Sequence, residues 1–485
     1  MSSPRVHPLL AIAFLAVASI FAASHAAAAD PPGANHAGGN GGDGIRCSGG
    51  KPDIAIVACG HIIDDAREDE DNRATALRNR AFSYQQKGEL DLAIADYTTV
   101  LKRTGLHSIQ ARTFLNRGTV YFLKGSDADA LADYAEAISL DPKLTSAYIN
   151  RAALYIKRGD ADKAIADLDQ ATQLDPRMTG AYVSRASVYA HRGDHARAIA
   201  DYSKAIELEP GNAAAWRGRG FSYRATGDNA RAATDATEAI RLAPSMGTGH
   251  LDLGLSRQAD GDHSAAIAEF DEAIRLDPGD ARALKARGDS YLAKGEREHA
   301  MADFALAIGI DPQMTSAFVN RGVAYLGRSQ WNAAISDFSA AIALDPNEYA
   351  AFLNRGQAYR ANGDREHALT DFTRAIELKP GSGEAYRQRA FLRQLSGDSQ
   401  GAIADYTQAI EANHGDEEAL RGRGFTHLKR REPDAAITDL TAAIALNPND
   451  ALAYRFRGSA FAARNDLKRA NADDAEALRL TQPAH

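Results

Sequence analysis

A 34-residue period governs most of this 485-residue chain. A small residue recurs at Gly118, Ala152, Ala186, Gly220, Gly254, Gly288, Gly322, Gly356, Ala390, Gly424 and Gly458, always 34 residues on. Ala81 lies 37 residues before Gly118, which places a three-residue insertion within 106–110 and makes twelve repeats. They begin near residues 74, 111, 145, 179, 213, 247, 281, 315, 349, 383, 417 and 451 and span 74–484. A unit this short cannot bury its own apolar face, but a stack of like neighbours can. The period therefore replaces the reading that length alone suggests, three globular domains of about 150 residues.

The third repeat, 145–178, shows how each unit folds. Tyr148, Ala152 and Tyr155 share one face at helical spacing. Gly159 ends that helix where a left-handed cap is needed, and Asp160 caps the next one. Ala164, Leu168 and Ala171 repeat the helical spacing, and Pro176 stops it. The spacing predicts two antiparallel helices joined by a Gly-Asp turn. Only 7% of residues are aromatic, which suits helices held close by Ala and Gly. This order of small residue, Tyr, Gly, Ala, Leu or aromatic, Ala and Pro resembles the tetratricopeptide repeat family. The resemblance implies an all-α, right-handed superhelical solenoid whose groove is lined by the first helix of each repeat. It also implies a non-catalytic scaffold that binds proteins or peptides.

The ends differ from the repeats. Arg5, an apolar run over 9–21 and the small residues up to Ala29 predict an export signal over 1–29, cleaved after Ala29. A Gly/Pro/Asn-rich flexible tether is expected over 30–46, followed by an N-terminal cap over 47–73 with a helix over 54–66. In an exported chain Cys47 and Cys59 are expected to form a disulfide. These features predict a periplasmic or secreted protein, with no stable membrane insertion once the signal is removed. At the other end, Asn465 replaces the turn Gly and Asp474 the aromatic, as suits an exposed terminal helix.

Two polar ladders run through the repeats. An Arg precedes the small residue in eleven of them, and an Asp follows each Arg by sixteen residues, as in Arg80/Asp96 and Arg151/Asp167. In an antiparallel pair these meet, so they read as structural ion pairs. In the sixth repeat Leu253 replaces the Arg, and the acid becomes Glu269. One residue earlier stands Asn79, Asn116, Asn150, Asn320 or Asn354 in five repeats. The resemblance places this site in the groove, where an amide offers both donor and acceptor to an extended peptide.

The groove positions implied by the resemblance carry twelve bases: Arg78, Arg112, Lys157, Arg217, Arg224, Arg282, Lys285, Arg360, Arg387, Arg421, Lys429 and Arg455. Four acids accompany them, Asp252, Asp289, Glu384 and Glu418. The whole chain carries a formal net charge of -8. A basic groove in an acidic protein predicts capture of acidic, extended segments, and the overall charge argues against nucleic acid. The alternative is a structural assembly protein that binds through its convex face or ends. The chain lacks a P-loop, a G-x-S-x-G and an H-E-x-x-H. No catalytic residue, cofactor or metal site is expected.

Overall fold

The computed structural model describes residues 41–49, 51–102 and 107–481. The signal expected over 1–29 and the tether up to residue 40 lie outside them. The described residues form 26 α-helices and no strand. They group into two compact bodies, one ending at Ala265 and the other beginning at Ala266. Each is a succession of antiparallel helix pairs. No described helix is long and apolar enough to cross a membrane.

The third repeat forms its helices over Thr145–Lys157 and Ala161–Leu174. Gly159 takes φ 76° at the turn, and the Asp160 carboxylate accepts from the Lys163 amide. The same backbone turn persists where Gly is missing. Ser329, Arg431 and Asn465 adopt φ of 59°, 62° and 65°. The stacked helices impose this conformation although it costs a non-glycine residue roughly 1–2 kcal/mol.

The core of each repeat is narrow. The small residue opening the motif lies against the second helix, with an Ala twelve residues on and, except for Ala236 of the fifth repeat and Asp474 of the last, a large side chain sixteen residues on. Phe304, Phe338 and Phe372 are fully buried this way, each lying against the Gly sixteen residues before it. Tyr202 and Tyr406 use another site. Their own repeats carry Ala186 and Ala390, and their rings lie over Gly218 and Gly422 of the next repeat. A Cβ on Gly218 would come within 2.2 Å of the Tyr202 ring, and one on Gly422 within 2.4 Å of the Tyr406 ring.

The N-terminal cap extends further than expected. α1 (Gly41–Gly49) is helical, so the tether assigned to 30–46 is helical in its last part. The Gly-rich composition hid a helix held by packing against α2 (Pro52–Asp64), the capping helix expected near 54–66. Both also pack on α3 (Glu70–Gln86), as a complete repeat packs on its successor. Cys47 stands 34 residues before Ala81, and Cys59 stands 34 before Ala93. The cap is thus a shortened repeat in register with the rest. Cys47 and Cys59 are disulfide-bonded at the site of the close small-residue contact, with a Cα–Cα distance of 4.9 Å. That approach lies within the range a disulfide requires. Reduction, or Cys47→Ser, should destabilise this end by about 2 kcal/mol. Hydrogen exchange should show protection lost over 43–64, with the central repeats unchanged.

Candidate functional site

The Arg/Asp ladder is formed in all eleven repeats that carry it. In each, the guanidinium grips the carboxylate with two bonds, Nε to one oxygen and Nη2 to the other, as in Arg321–Asp337 at 2.8 Å for both. The acids are buried. In several repeats Nη1 also reaches back to the second helix of the preceding repeat. Arg355 donates to Ser339, Arg389 to Thr373 and Arg423 to Thr407. One side chain thereby ties three helices, and the ladder is framework rather than anion site.

The asparagine ladder is also largely spent inside the fold, contrary to its reading as a peptide-binding row. Asn150 is only 1% exposed, and its amide donates to the Thr119 hydroxyl of the preceding first helix. Asn320 donates to Asp289 in the same geometry, 31 residues back. Asn354 donates to the Ala350 carbonyl, Asn79 lies 3.9 Å from the Cys47 sulfur, and Asn116 is buried. The ladder breaks at Gly218 and Gly422 because a tyrosine ring fills the space.

Most groove cations have internal partners as well. In the first body Arg217 and Arg224 both contact Asp252, and Lys157 pairs with Asp127. Arg78 is buried, whereas Arg112 is exposed. In the second body Lys285 pairs with Asp289, Arg282 with Asp280, and Arg387 with Asp416 and Glu418. Arg421 bridges Glu417 and Asp450 at 2.8 and 2.6 Å. Burial and the neighbouring Asp450 carboxylate push the Glu417 carboxyl up to about 7. The count of a strongly basic groove is therefore corrected. Acids at helix starts and on neighbouring turns, such as Asp280, Asp416, Glu417 and Asp450, neutralise much of it. Arg360, Lys429 and Arg455 are exposed, and among the described residues they have no acidic partner.

Those three side chains belong to a stretch of the second body that holds a sizeable opening. A cavity of about 610 Å³ lies among the first helices of the last four repeats, Tyr349–Ala361, Gly383–Leu395, Glu417–Lys429 and Ala451–Ala463. Phe391, Leu395, Phe425, Leu452 and Phe456 form its apolar lining, and Arg360, Arg387 and Arg421 its basic part. Arg360 lies 5.6 Å from the Phe391 ring centre and Lys429 5.3 Å from that of Phe425. Tyr406 reaches the cavity beside Gly422. Burial pushes its phenol up, against the pull of Arg421 and Arg387.

Residues 149–213, 192–247, 251–315, 319–383 and 424–485 match a family profile described as tetratricopeptide repeat, and 72–143 match a second so described. The chain belongs to the tetratricopeptide repeat family. As such it is a protein–protein interaction scaffold. It is similar to a tetratricopeptide repeat protein from Parabacteroides merdae ATCC 43184, with 20% identity over 52% of this chain and 98% of that one and a TM-score of 0.42. It is likewise similar to a chain of the APC/C hetero-tetramer Cut9-Hcn1, with 17% identity, 88% of both chains covered and a TM-score of 0.43. Yeast Tom70 shows 16% identity over 86% of this chain and 100% of that one, with a TM-score of 0.38. No curated protein matched the sequence significantly.

The tetratricopeptide repeat profiles begin at residue 72, so the disulfide-closed cap lies outside them. The 34-residue offset of Cys47 from Ala81 was the signal for it. Tyr406, Gln394 and Leu452 also escaped the sequence reading as cavity residues. Only Tyr406 had a visible cue, the Gly422 that makes room for its ring.

Proposed function

We propose that this scaffold captures an extended polypeptide segment along the first helices of its repeats, with a preference for carboxylates. The carrying observation is the set of exposed cations without acidic partners, Arg360, Lys429 and Arg455, around an apolar cavity. Cations on such a surface attract acidic chains, and added salt screens the attraction. An exported location is part of the proposal, supported by the residues up to Ala29 and by the Cys47–Cys59 bridge.

Arg217, Arg224 and Lys285 are poor test positions, because each already neutralises an acid. Reversing Arg360, Lys429 and Arg455 to Glu is the informative change. Binding of a Glu-rich peptide to the full chain should fall at least about tenfold in the triple variant, and should weaken as salt is raised. Salt-independent binding, or binding unchanged in the triple variant, would refute the acidic preference.

A further inference from the structure

We infer that the cavity in the last four repeats seats one bulky apolar side chain, preferably aromatic, of a bound segment whose neighbouring residues are acidic. This rests on the segment-binding reading above and names the chemistry that such a segment must carry.

The argument begins with the lining. Three consecutive first helices each contribute a phenylalanine, Phe391, Phe425 and Phe456. The Phe425 and Phe456 ring centres are 4.5 Å apart, so they form one aromatic wall. Leu395 and Leu452 complete the rim and are left 49% and 47% exposed. Apolar surface left open in this way is stabilised when an apolar group covers it, by about 25 cal/mol for each Å² removed from water. A volume of about 610 Å³ has room for an indole or phenyl ring.

The walls also explain why the occupant carries charge beside its ring. Arg387 and Arg421 are held by acids of the fold, so they stiffen the basic side of the cavity without offering an unpaired charge. Arg360 rests on Phe391 and Lys429 on Phe425, the middle of the three rings, and Arg455 is exposed on the last first helix. These three are placed to meet carboxylates that flank a seated ring. Tyr406 gives the cavity a polar atom among rings, and Gly422 makes that possible.

The occupant is a chain rather than a small molecule because the cations are spread out. Arg360 and Arg455 stand on the first and last of four successive first helices. Helices pack about 8–10 Å apart, so this row covers about 24–30 Å. That is the reach of about seven to nine extended residues.

The test uses the full chain and a fluorescein-labelled peptide of about nine residues, made of Asp, Glu and Ser around a central Trp. A second probe replaces the Trp by Ala, and N-acetyl-tryptophanamide serves as a small-molecule competitor. The Trp probe should bind at least about tenfold more tightly than the Ala probe, as expected for a large side chain in an apolar pocket. Leu452→Ser, on the exposed rim, and Phe425→Ala change no charge, so each should remove that difference and leave the Ala probe unaffected. The melting temperature of Leu452→Ser confirms an intact fold. Equal binding of the two probes overturns the inference and leaves the acidic-segment reading standing. Binding of neither probe overturns both. Competition by N-acetyl-tryptophanamide at the concentration of the peptide itself makes this a small-molecule site and also overturns the inference.

Discussion

Arg321→Ala is expected to destabilise the chain by about 3–5 kcal/mol, the usual cost of leaving a buried charge unpaired. Its partner Asp337 is only 6% exposed, and both of its oxygens are occupied by this one guanidinium. The Asp337 hydrogen bond holds the Arg321 side chain above its ordinary pKa, so the guanidinium is charged at neutral pH. Removing the arginine strands the carboxylate without its two charge-assisted bonds. Replacing both residues by Leu should recover most of the loss, because a buried pair is often no more stabilising than well-packed apolar side chains of similar volume. Leu253, at the arginine position of the sixth repeat and 5% exposed, shows that the site accepts an apolar residue. Arg455→Ala, on an exposed position, should stay within about 0.5 kcal/mol of the parent. Urea unfolding of the three variants checks the order. If Arg321→Ala unfolds at the same midpoint as Arg455→Ala, the ladder has no framework role.

The repeats were legible because their signals recur. A contact between residues sixteen apart, repeated eleven times, is readable from the sequence as Arg321 gripping Asp337. The asparagine row could not be read as readily. Its partners, Thr119 for Asn150 and Asp289 for Asn320, lie 31 residues back on another helix, and they are polar only in some repeats. The groove charge was overcounted for a related reason. Asp280, Asp416 and Asp450 stand at helix starts, outside the groove positions that were counted, yet their carboxylates reach Arg282, Arg387 and Arg421. The cap was half legible, since Cys59 fitted the second-helix spacing while the Gly-rich run from Gly41 concealed a first helix. The cavity depends on where the Tyr406 ring turns, toward its own Ala390 or toward Gly422. That choice is a matter of packing between repeats, and a period alone does not encode it.

The same packing choice sets the second large effect, Gly322→Leu. A Cβ on Gly322 would stand 2.6 Å from the Phe338 ring, and Phe338 is fully buried with no route out. Four added carbons must displace that ring or separate the two helices, at a cost of about 3 kcal/mol. Gly322→Ala separates the clash from helix propensity. In an unobstructed helix interior, Gly to Ala is stabilising by about 0.8–1 kcal/mol. Against Phe338 the contact should reverse that sign and leave a net loss. Shrinking the ring should restore it, because Ala152 and Leu168 already make the small-to-large contact of the third repeat with an alanine. Phe338→Leu alone should destabilise by about 1 kcal/mol or more through lost burial. In its presence Gly322→Ala should become stabilising. A double-mutant cycle measured by urea unfolding isolates this coupling. If Gly322→Ala has the same sign in both backgrounds, the glycine is not there to seat the phenylalanine. The pairing of small and large residues across each helix pair would then need another explanation.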